Sequence, residues 1–258
     1  MKISVLIATR HREAWLVQAL RSVALQVCDL SNVEIVVVHD GTPGTGIPEL
    51  DTSTYPFNRP DWRPDIVRYV EQRHAGRSAA INKAYALSGG RYVTVLDDDD
   101  LLHPSKLELL SWKLDCVGLA DVAFGLPCHV DLFGCRSVET PPLAAEFQRD
   151  YPVMTWDLFL ECRRWAVHGT AGMYRREVWE RAGPWDATLP TCEEWEFNMR
   201  CLYRGATFYG LSSVTDYYRI HPGQKSGRKH RQLATRHAVK QRINERIQGW
   251  INESEVAW

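Results

Sequence analysis

Tyr92-Val93-Thr94-Val95-Leu96-Asp97-Asp98-Asp99-Asp100 is the stretch on which the reading of this chain turns. Five residues rich in β-branched and apolar side chains read as a buried strand. Four aspartates follow without a break. Carboxylates so close repel one another, which raises the pKa of at least one. A divalent cation relieves the repulsion, and carboxylate oxygens are the ligands that Mg²⁺, Mn²⁺ or Ca²⁺ prefer. A solvated acidic turn is the plain alternative. The position favours a site, because open α/β sheets bind ligands at the carboxyl ends of their strands.

Working outward, Ile3–Ala8 is a continuous apolar run, as in a strand covered on both faces. Arg12–Gln26 carries Trp15, Ala19, Leu20, Val23 and Ala24 at helical spacing. Glu34–Val38 reads as the second strand, Ser78–Ser88 as a helix capped by Ser78 and closed by Gly89-Gly90, and Tyr92–Leu96 as the third strand. Pro104–Val117 is helical and Asp121–Phe124 a fourth strand. This alternation argues for an α/β fold with a mostly parallel sheet and right-handed crossovers. Residues 42–65 interrupt it with five prolines and the aromatics Tyr55, Phe57 and Trp62, an insertion of the length that is functional or mobile. Farther on, Met154–Arg164 and Glu193–Arg204 look helical, Thr207–Leu211 looks like a strand, and Arg231–Ile251 forms a final helix with Ile243, Ile247, Trp250 and Ile251 on one face.

The 258 residues fit one large domain or a domain with an appendage, and 45% hydrophobic content is enough for an ordinary core. A formal net charge of −1 gives no field for nucleic acid; only Lys225, Arg228, Lys229, His230, Arg231 and Arg236 form a local basic stretch. Seven scattered cysteines without a C-x-x-C pair fit neither a zinc site nor a disulfide framework, so reduced thiols in the cytoplasm are expected. The apolar start is too short for a signal peptide, and no run reaches the length of a spanning helix. The final helix could lie on a membrane or form a homodimer, but its mixed charges favour packing or dimerisation over membrane contact.

Thr9, His39-Asp40-Gly41-Thr42 and Asp97 end the first three strands, so parallel strands would gather them on one rim. With these pieces assembled, the chain resembles the family 2 glycosyltransferases of the GT-A fold. The likeness rests on Ser4–Arg10, Val37–Thr42, Ala79–Ala84, Gly90–Asp100, Cys192-Glu193-Glu194-Trp195 and Tyr217–Pro222, in family order from residue 3 to about 226. It implies a Rossmann-like, nucleotide-sugar-binding half over 1–125, an acceptor-side half with the catalytic base over 126–230, and a helical tail over 231–258.

The resemblance also implies roles. Thr9 and Asp40 would hold the nucleotide base, with His11 stacking on it; His39 stands where the family usually has an acid. Arg77 and Asn82 would contact the nucleotide or brace the rim, with Arg73 and His74 as weaker candidates. Asp99 would coordinate Mn²⁺ or Mg²⁺, Asp97 and Asp98 would lie nearer the ribose, and His221 would add a ligand. Asp100 is expected to cap the helix that follows it or to be solvated. Glu194, with Glu193 as the second choice, would be the general base of an inverting displacement on a nucleotide-diphosphate sugar, UDP by family habit. Lys225 and Arg228 would close over the diphosphate, and His168-Gly169-Thr170-Ala171-Gly172 would border the acceptor, which can be a saccharide, a lipid-linked sugar, a natural product or a protein. Most of the ten tryptophans are expected in the core. The rival readings are a sugar-nucleotide-binding protein without turnover and a sugar-1-phosphate nucleotidyltransferase. Thr9-Arg10-His11-Arg12 has no glycine for the phosphate loop that the latter needs.

Overall fold

The structure, a computed structural model, describes residues 2–41, 64–132, 154–162, 171–224 and 230–256. Strand β1 (Ile3–Thr9) leads into α1 (Glu13–Ala24), β2 (Val33–Asp40) and β3 (Val67–Gln72). Helix α2 (Arg77–Leu87), β4 (Tyr92–Val95), β5 (Leu101–Leu102), α3 (Lys106–Cys116) and β6 (Val122–Val130) follow. The remainder comprises α4 (Trp156–Cys162), β7 (Gly172–Arg175), α5 (Arg176–Ala182), α6 (Glu193–Tyr203), β8 (Phe208–Arg219) and α7 (His230–Val256). Most of the 42–65 insertion, the His168–Thr170 segment, Lys225 and Arg228 fall outside the described residues.

One sheet runs through the molecule in the order β3-β2-β1-β4-β7-β6-β8-β5. The first four strands are parallel, with Thr9 opposite His39 and Leu6 opposite Val95. Strand β7 is antiparallel to both neighbours and joins this half to the parallel pair β6–β8. The sheet is therefore mixed, and its parallel part is the one the apolar runs predict. Alternation along the strands sorts the core into two layers. Leu6, Val36, Val38, Val93 and Val95 face the core built with α2, α5, α6 and α7. Val5, Ile7, Ile35 and Val37 face the one built with α1 and α3.

Three local expectations change. Helix α2 begins at Arg77, so Ser78 is a buried residue of its first turn, and the residue before the helix is Gly76 at φ 94°, a conformation that glycine adopts freely. Helix α3 begins after Ser105, five residues past Asp100, which is therefore not its cap. Strand β8 does not stop at Leu211 but continues to Arg219. At the end of the chain α7 buries Val239, Ile243, Ile247 and Ile251 against the core, each isoleucine contributing about 1.5–3 kcal/mol. Its apolar face is thus used within the chain. Among the described residues no helix is long and apolar enough to cross a membrane.

Candidate functional site

Parallel pairing of β1 with β2 and β4 brings Thr9, Asp40 and the aspartates to one edge of the sheet. Thr9 Oγ1 donates to Asp98 Oδ2 at 2.8 Å, tying the end of β1 to the turn after β4. His11, just beyond, is exposed at φ 53°, and its ring meets that of His39 edge-on at 5.8 Å. His39 is buried with neither ring nitrogen hydrogen-bonded.

Asp40 is spent on the loop ahead of α2. Oδ1 accepts from Gln72 Nε2 (2.9 Å) and the Ala75 amide (2.7 Å); Oδ2 accepts from the Gly76 amide (2.9 Å) and pairs with His74 Nδ1 (2.7 Å). Burial pushes this carboxyl up, but the four bonds outweigh it and hold it below its ordinary range. A base N–H reaching Asp40 has to join or replace one of these donors. Asn82, too, is committed: its amide exchanges two 2.8 Å hydrogen bonds with the backbone of Trp185, which makes it a brace of the rim.

Arg77 stands at the centre. Its Nε donates to Asp97 Oδ1 at 2.8 Å, Nη2 lies 2.7 Å from the same oxygen, and Nη1 lies 3.3 Å from both Glu193 Oε1 and Glu194 Oε1. The guanidinium packs 5.0 Å from the Trp185 ring centroid. One side chain thus joins the turn after β4 to the first turn of α6. That turn follows Cys192, held at φ 61° in the left-handed region. Glu193 is buried, while the Glu194 side chain is 22% exposed.

The remaining aspartates meet a second set of partners. Arg12 Nη1 bridges Asp98 Oδ1 (3.0 Å) and Asp99 Oδ2 (2.5 Å). His221 Nδ1 accepts from the Gly223 amide, so the ring proton sits on Nε2 and is donated to Asp99 Oδ2 at 3.0 Å. To bind a cation through Nε2, His221 has to give up that proton and that bond; as it stands it orients Asp99. Asp100 is buried, and its Oδ1 accepts from the Arg219 amide. Burial leads in raising three of the aspartates: Asp98 to about 6, Asp97 above its ordinary value against the opposing Arg77, and Asp100 well above it with help from Asp97 and Asp99. Glu194 is raised in the same way, Arg77 opposing and Glu193 adding.

Asp97, Asp99 and Asp100 each offer an oxygen, all within 4.8 Å of one another. Oxygens across a cation with bonds of about 2.0–2.4 Å lie roughly 4–4.8 Å apart, so the set fits a hard divalent ion. Burial and mutual repulsion both disfavour the ionised carboxylates, and such an ion would offset both.

Of the residues singled out in the sequence, Thr9, Arg77, Asp97, Asp98, Asp99, Glu193, Glu194 and His221 form one connected network, with Asp40, His11 and Asn82 around it. The sequence reading missed Arg12, Trp15, Gln18 and Arg219. Trp15 packs against His221 with the rings tilted by 59° and their centroids 4.3 Å apart, and lies beneath both arginines, while Arg219 Nη2 donates to Gln18 Oε1 at 2.8 Å. Charge balance was the available signal, since four aspartates call for cations and Arg10-His11-Arg12 opens the neighbouring loop. Trp179 and Trp185 are core residues, as expected of most tryptophans, whereas Trp112 is exposed.

Residues 4–123 match the family model described as Glycosyl transferase family 2. An uncharacterised glycosyltransferase of Nostoc sp. is 27% identical over 227 residues, 86% of this chain and 65% of that protein. The glycosyltransferase GlyA of Streptococcus pneumoniae is 36% identical over 125 residues, 48% of this chain and 16% of its own. The crystal structure of Staphylococcus aureus TarS 1–349 in complex with UDP-GlcNAc superposes with a TM-score of 0.70 at 18% identity, covering 93% of this chain and 65% of that one. The free TarS 1–349 structure gives 0.66 at 19% identity over 85% of this chain and 60% of that one, so the fold is GT-A. The chain spans 65% of the Nostoc relative's length and smaller shares of several others. Strand order, acidic edge and family match agree: over residues 4–123 the chain is similar to glycosyl transferase family 2, and its fold is that of the GT-A glycosyltransferase structures.

Proposed function

We propose that the protein transfers a sugar from a nucleotide-diphosphate donor, most simply a UDP-sugar, to an acceptor hydroxyl with inversion at the anomeric carbon. The observation that carries this reading is Arg77, which holds the aspartates after β4 and the glutamates of α6 on one guanidinium. The donor's leaving group and the acceptor's proton would then be handled only a few ångströms apart. UDP-GlcNAc bound to TarS, a protein of the same fold, supports the donor class.

In this reading residues 1–125 hold the donor, 126–230 border the acceptor and carry the base, and 231–258 pack as a tail. Thr9, Asp40 and His11 line the base, and Arg77 offers its charge to the diphosphate. Asp97, Asp99 and Asp100 would hold Mn²⁺ or Mg²⁺, with His221 orienting Asp99 or joining it as a ligand. When bound, the ion supplies charge that stabilises the departing diphosphate. Glu194, the more accessible glutamate, accepts the acceptor's proton as its oxygen attacks the anomeric carbon and the bond to the diphosphate oxygen breaks. The products are the inverted glycoside and the nucleoside diphosphate. Its raised pKa makes it a better base than an ordinary carboxylate. The free thiols of Cys116, Cys128, Cys192 and Cys201 support a cytoplasmic setting.

The test is thermal unfolding with UDP, GDP, dTDP and CDP, each with Mn²⁺ or with EDTA. A nucleotide at 100 times its Kd adds about 2.7 kcal/mol of stability. A metal-dependent rise with UDP is expected in the parent protein and its loss in Asp99→Asn. The anomeric configuration of the product, read by NMR, then tests inversion. Metal-dependent nucleotide binding with neither transfer nor donor hydrolysis would establish the binding-protein reading instead.

A further inference from the structure

Every aspartate of the quartet has a partner within the chain, and the partner of Asp98 and Asp99 is the one built to leave. Arg12 immediately precedes α1. A cation there opposes the helix dipole, so the aspartates rather than the helix hold the guanidinium in place. The Arg12 side chain is 31% exposed, against 7% for Asp98 and 16% for Asp99, so it approaches from the solvent side and can withdraw without opening the core. Its Nη1 shares Asp99 Oδ2 with His221 Nε2. Asp99 also supplies one of the three oxygens that converge as a ligand set.

We propose that Arg12 is a displaceable counter-charge for this acidic turn. It holds Asp98 and Asp99 in order while no cation is bound, and it competes with the divalent ion for Asp99. The repulsion is mutual. A divalent ion on Asp99 lowers the affinity of that carboxylate for the guanidinium, and the guanidinium raises the concentration of ion needed to fill the site. Asp98 is kept out of this exchange on its other side by Thr9, so the turn retains an anchor to β1 when Arg12 departs. Arg12 is therefore a positioning residue whose removal strengthens cation binding. The other role open to it is a permanent brace, with the ion taking Asp99 from another direction; its removal would then loosen the turn and weaken binding.

The proposal rests on the metal reading above, and the experiment separates the two. Free Mn²⁺ is titrated by electron paramagnetic resonance against the parent protein, Arg12→Gln and Arg12→Lys, each alone and with UDP. Displacement predicts that Arg12→Gln binds Mn²⁺ about three- to tenfold more tightly, with Arg12→Lys between it and the parent. The metal-free melting temperature of Arg12→Gln falls, and Mn²⁺ raises it by more than in the parent. If Arg12→Gln does not fold without metal, Arg12→Lys carries the test, because a single ammonium bridges two carboxylates less well than a guanidinium. Unchanged or weaker Mn²⁺ binding in the variants, with the parent binding normally, overturns the displacement. Absence of Mn²⁺ binding by the parent in the presence of UDP removes the metal reading and this proposal with it.

Discussion

The aspartates after β4 and the glutamates that open α6 are both acidic clusters against Arg77, but they are built differently. The aspartates hang from a buried strand and are fixed by hydrogen bonds from the ends of two other strands: Thr9 of β1, and the Arg219 amide of β8 with His221 just beyond it. The glutamates sit on one helix turn, favoured there by the helix dipole, and their first turn is aimed by a strained residue, Cys192. A cluster tied to several strands is suited to holding a multivalent charge in fixed geometry. A cluster on one helix end, with one member partly exposed, is suited to exchanging a proton with a bound molecule. In the proposed mechanism the first cluster binds and the second transfers a proton, a division that mutation can test.

The sharpest break is Glu194→Gln. It should leave metal-dependent UDP binding within about twofold and lower turnover by two to four orders of magnitude, the usual range for a positioned base. Steady-state turnover alongside UDP titration checks this. If Glu193→Gln is the inactive variant and Glu194→Gln is not, the base belongs to the buried member and exposure is the wrong criterion.

Next in size is Arg77→Met. Removing the guanidinium leaves Asp97, Glu193 and Glu194 facing one another without a counter-charge, at a cost of about 3–5 kcal/mol, the range for breaking a buried charged pair. Denaturant unfolding at pH 7 should show most of that loss, and at pH 5 less of it, because the carboxyls can then take up protons. Mn²⁺ should restore part of the stability by neutralising Asp97, and the glutamate share should stay lost. Full restoration would mean that the two clusters are one.

Acidity provides a third test. The folded pKa of Asp98 is about 6 against an ordinary 3.8, and Asp97, Asp100 and Glu194 are raised too. Between the two values of Asp98 the native state binds more protons than the unfolded state, so stability falls as pH rises from about 4 to 6. The Asp98 share is on the order of 1–3 kcal/mol. Asp40 works in the opposite direction: its depressed pKa contributes stability above the ordinary carboxylate range, and that stability is lost as pH falls through its folded value. In EDTA the melting temperature should therefore peak near pH 4 and decline toward pH 6, and saturating Mn²⁺ should flatten the decline. A flat EDTA profile would mean that Arg12 and Arg77 already neutralise the turn.

The two clusters also differed in how far the sequence disclosed them. The aspartates were legible because β1, β2 and β4 are buried on both faces and read as unbroken apolar runs, so their ends could be placed on one edge. Strand β3, with the half-buried pattern Val-Arg-Tyr-Val-Glu-Gln, and the four-residue β7 carry too little periodicity to be seen. The apolar run that predicts β8 ends at Leu211, although pairing with β6 carries that strand on to Arg219. That continuation is what delivers Arg219 and His221 to the aspartates. Arg12 escaped notice for a related reason: its partners lie 86 and 87 residues away, and no local pattern announces a long-range ion pair.

The smallest predicted effect tests the strain under the glutamates. Cys192 is one of two non-glycine residues at positive φ among those described, and the other, His11, lies just beyond the end of β1. Left-handed backbone costs a non-glycine residue roughly 1 kcal/mol, which Cys192→Gly would recover, less the greater freedom glycine gains in the unfolded chain. The net change in stability should stay within about 1 kcal/mol. Turnover is the more telling readout, because glycine no longer confines the peptide that aims Glu193 and Glu194. A stable Cys192→Gly variant with turnover down severalfold and unchanged UDP binding would show that the strain orients the base. Unchanged turnover would mean that Arg77 alone does so, and the glutamates would then depend on the same guanidinium as Asp97.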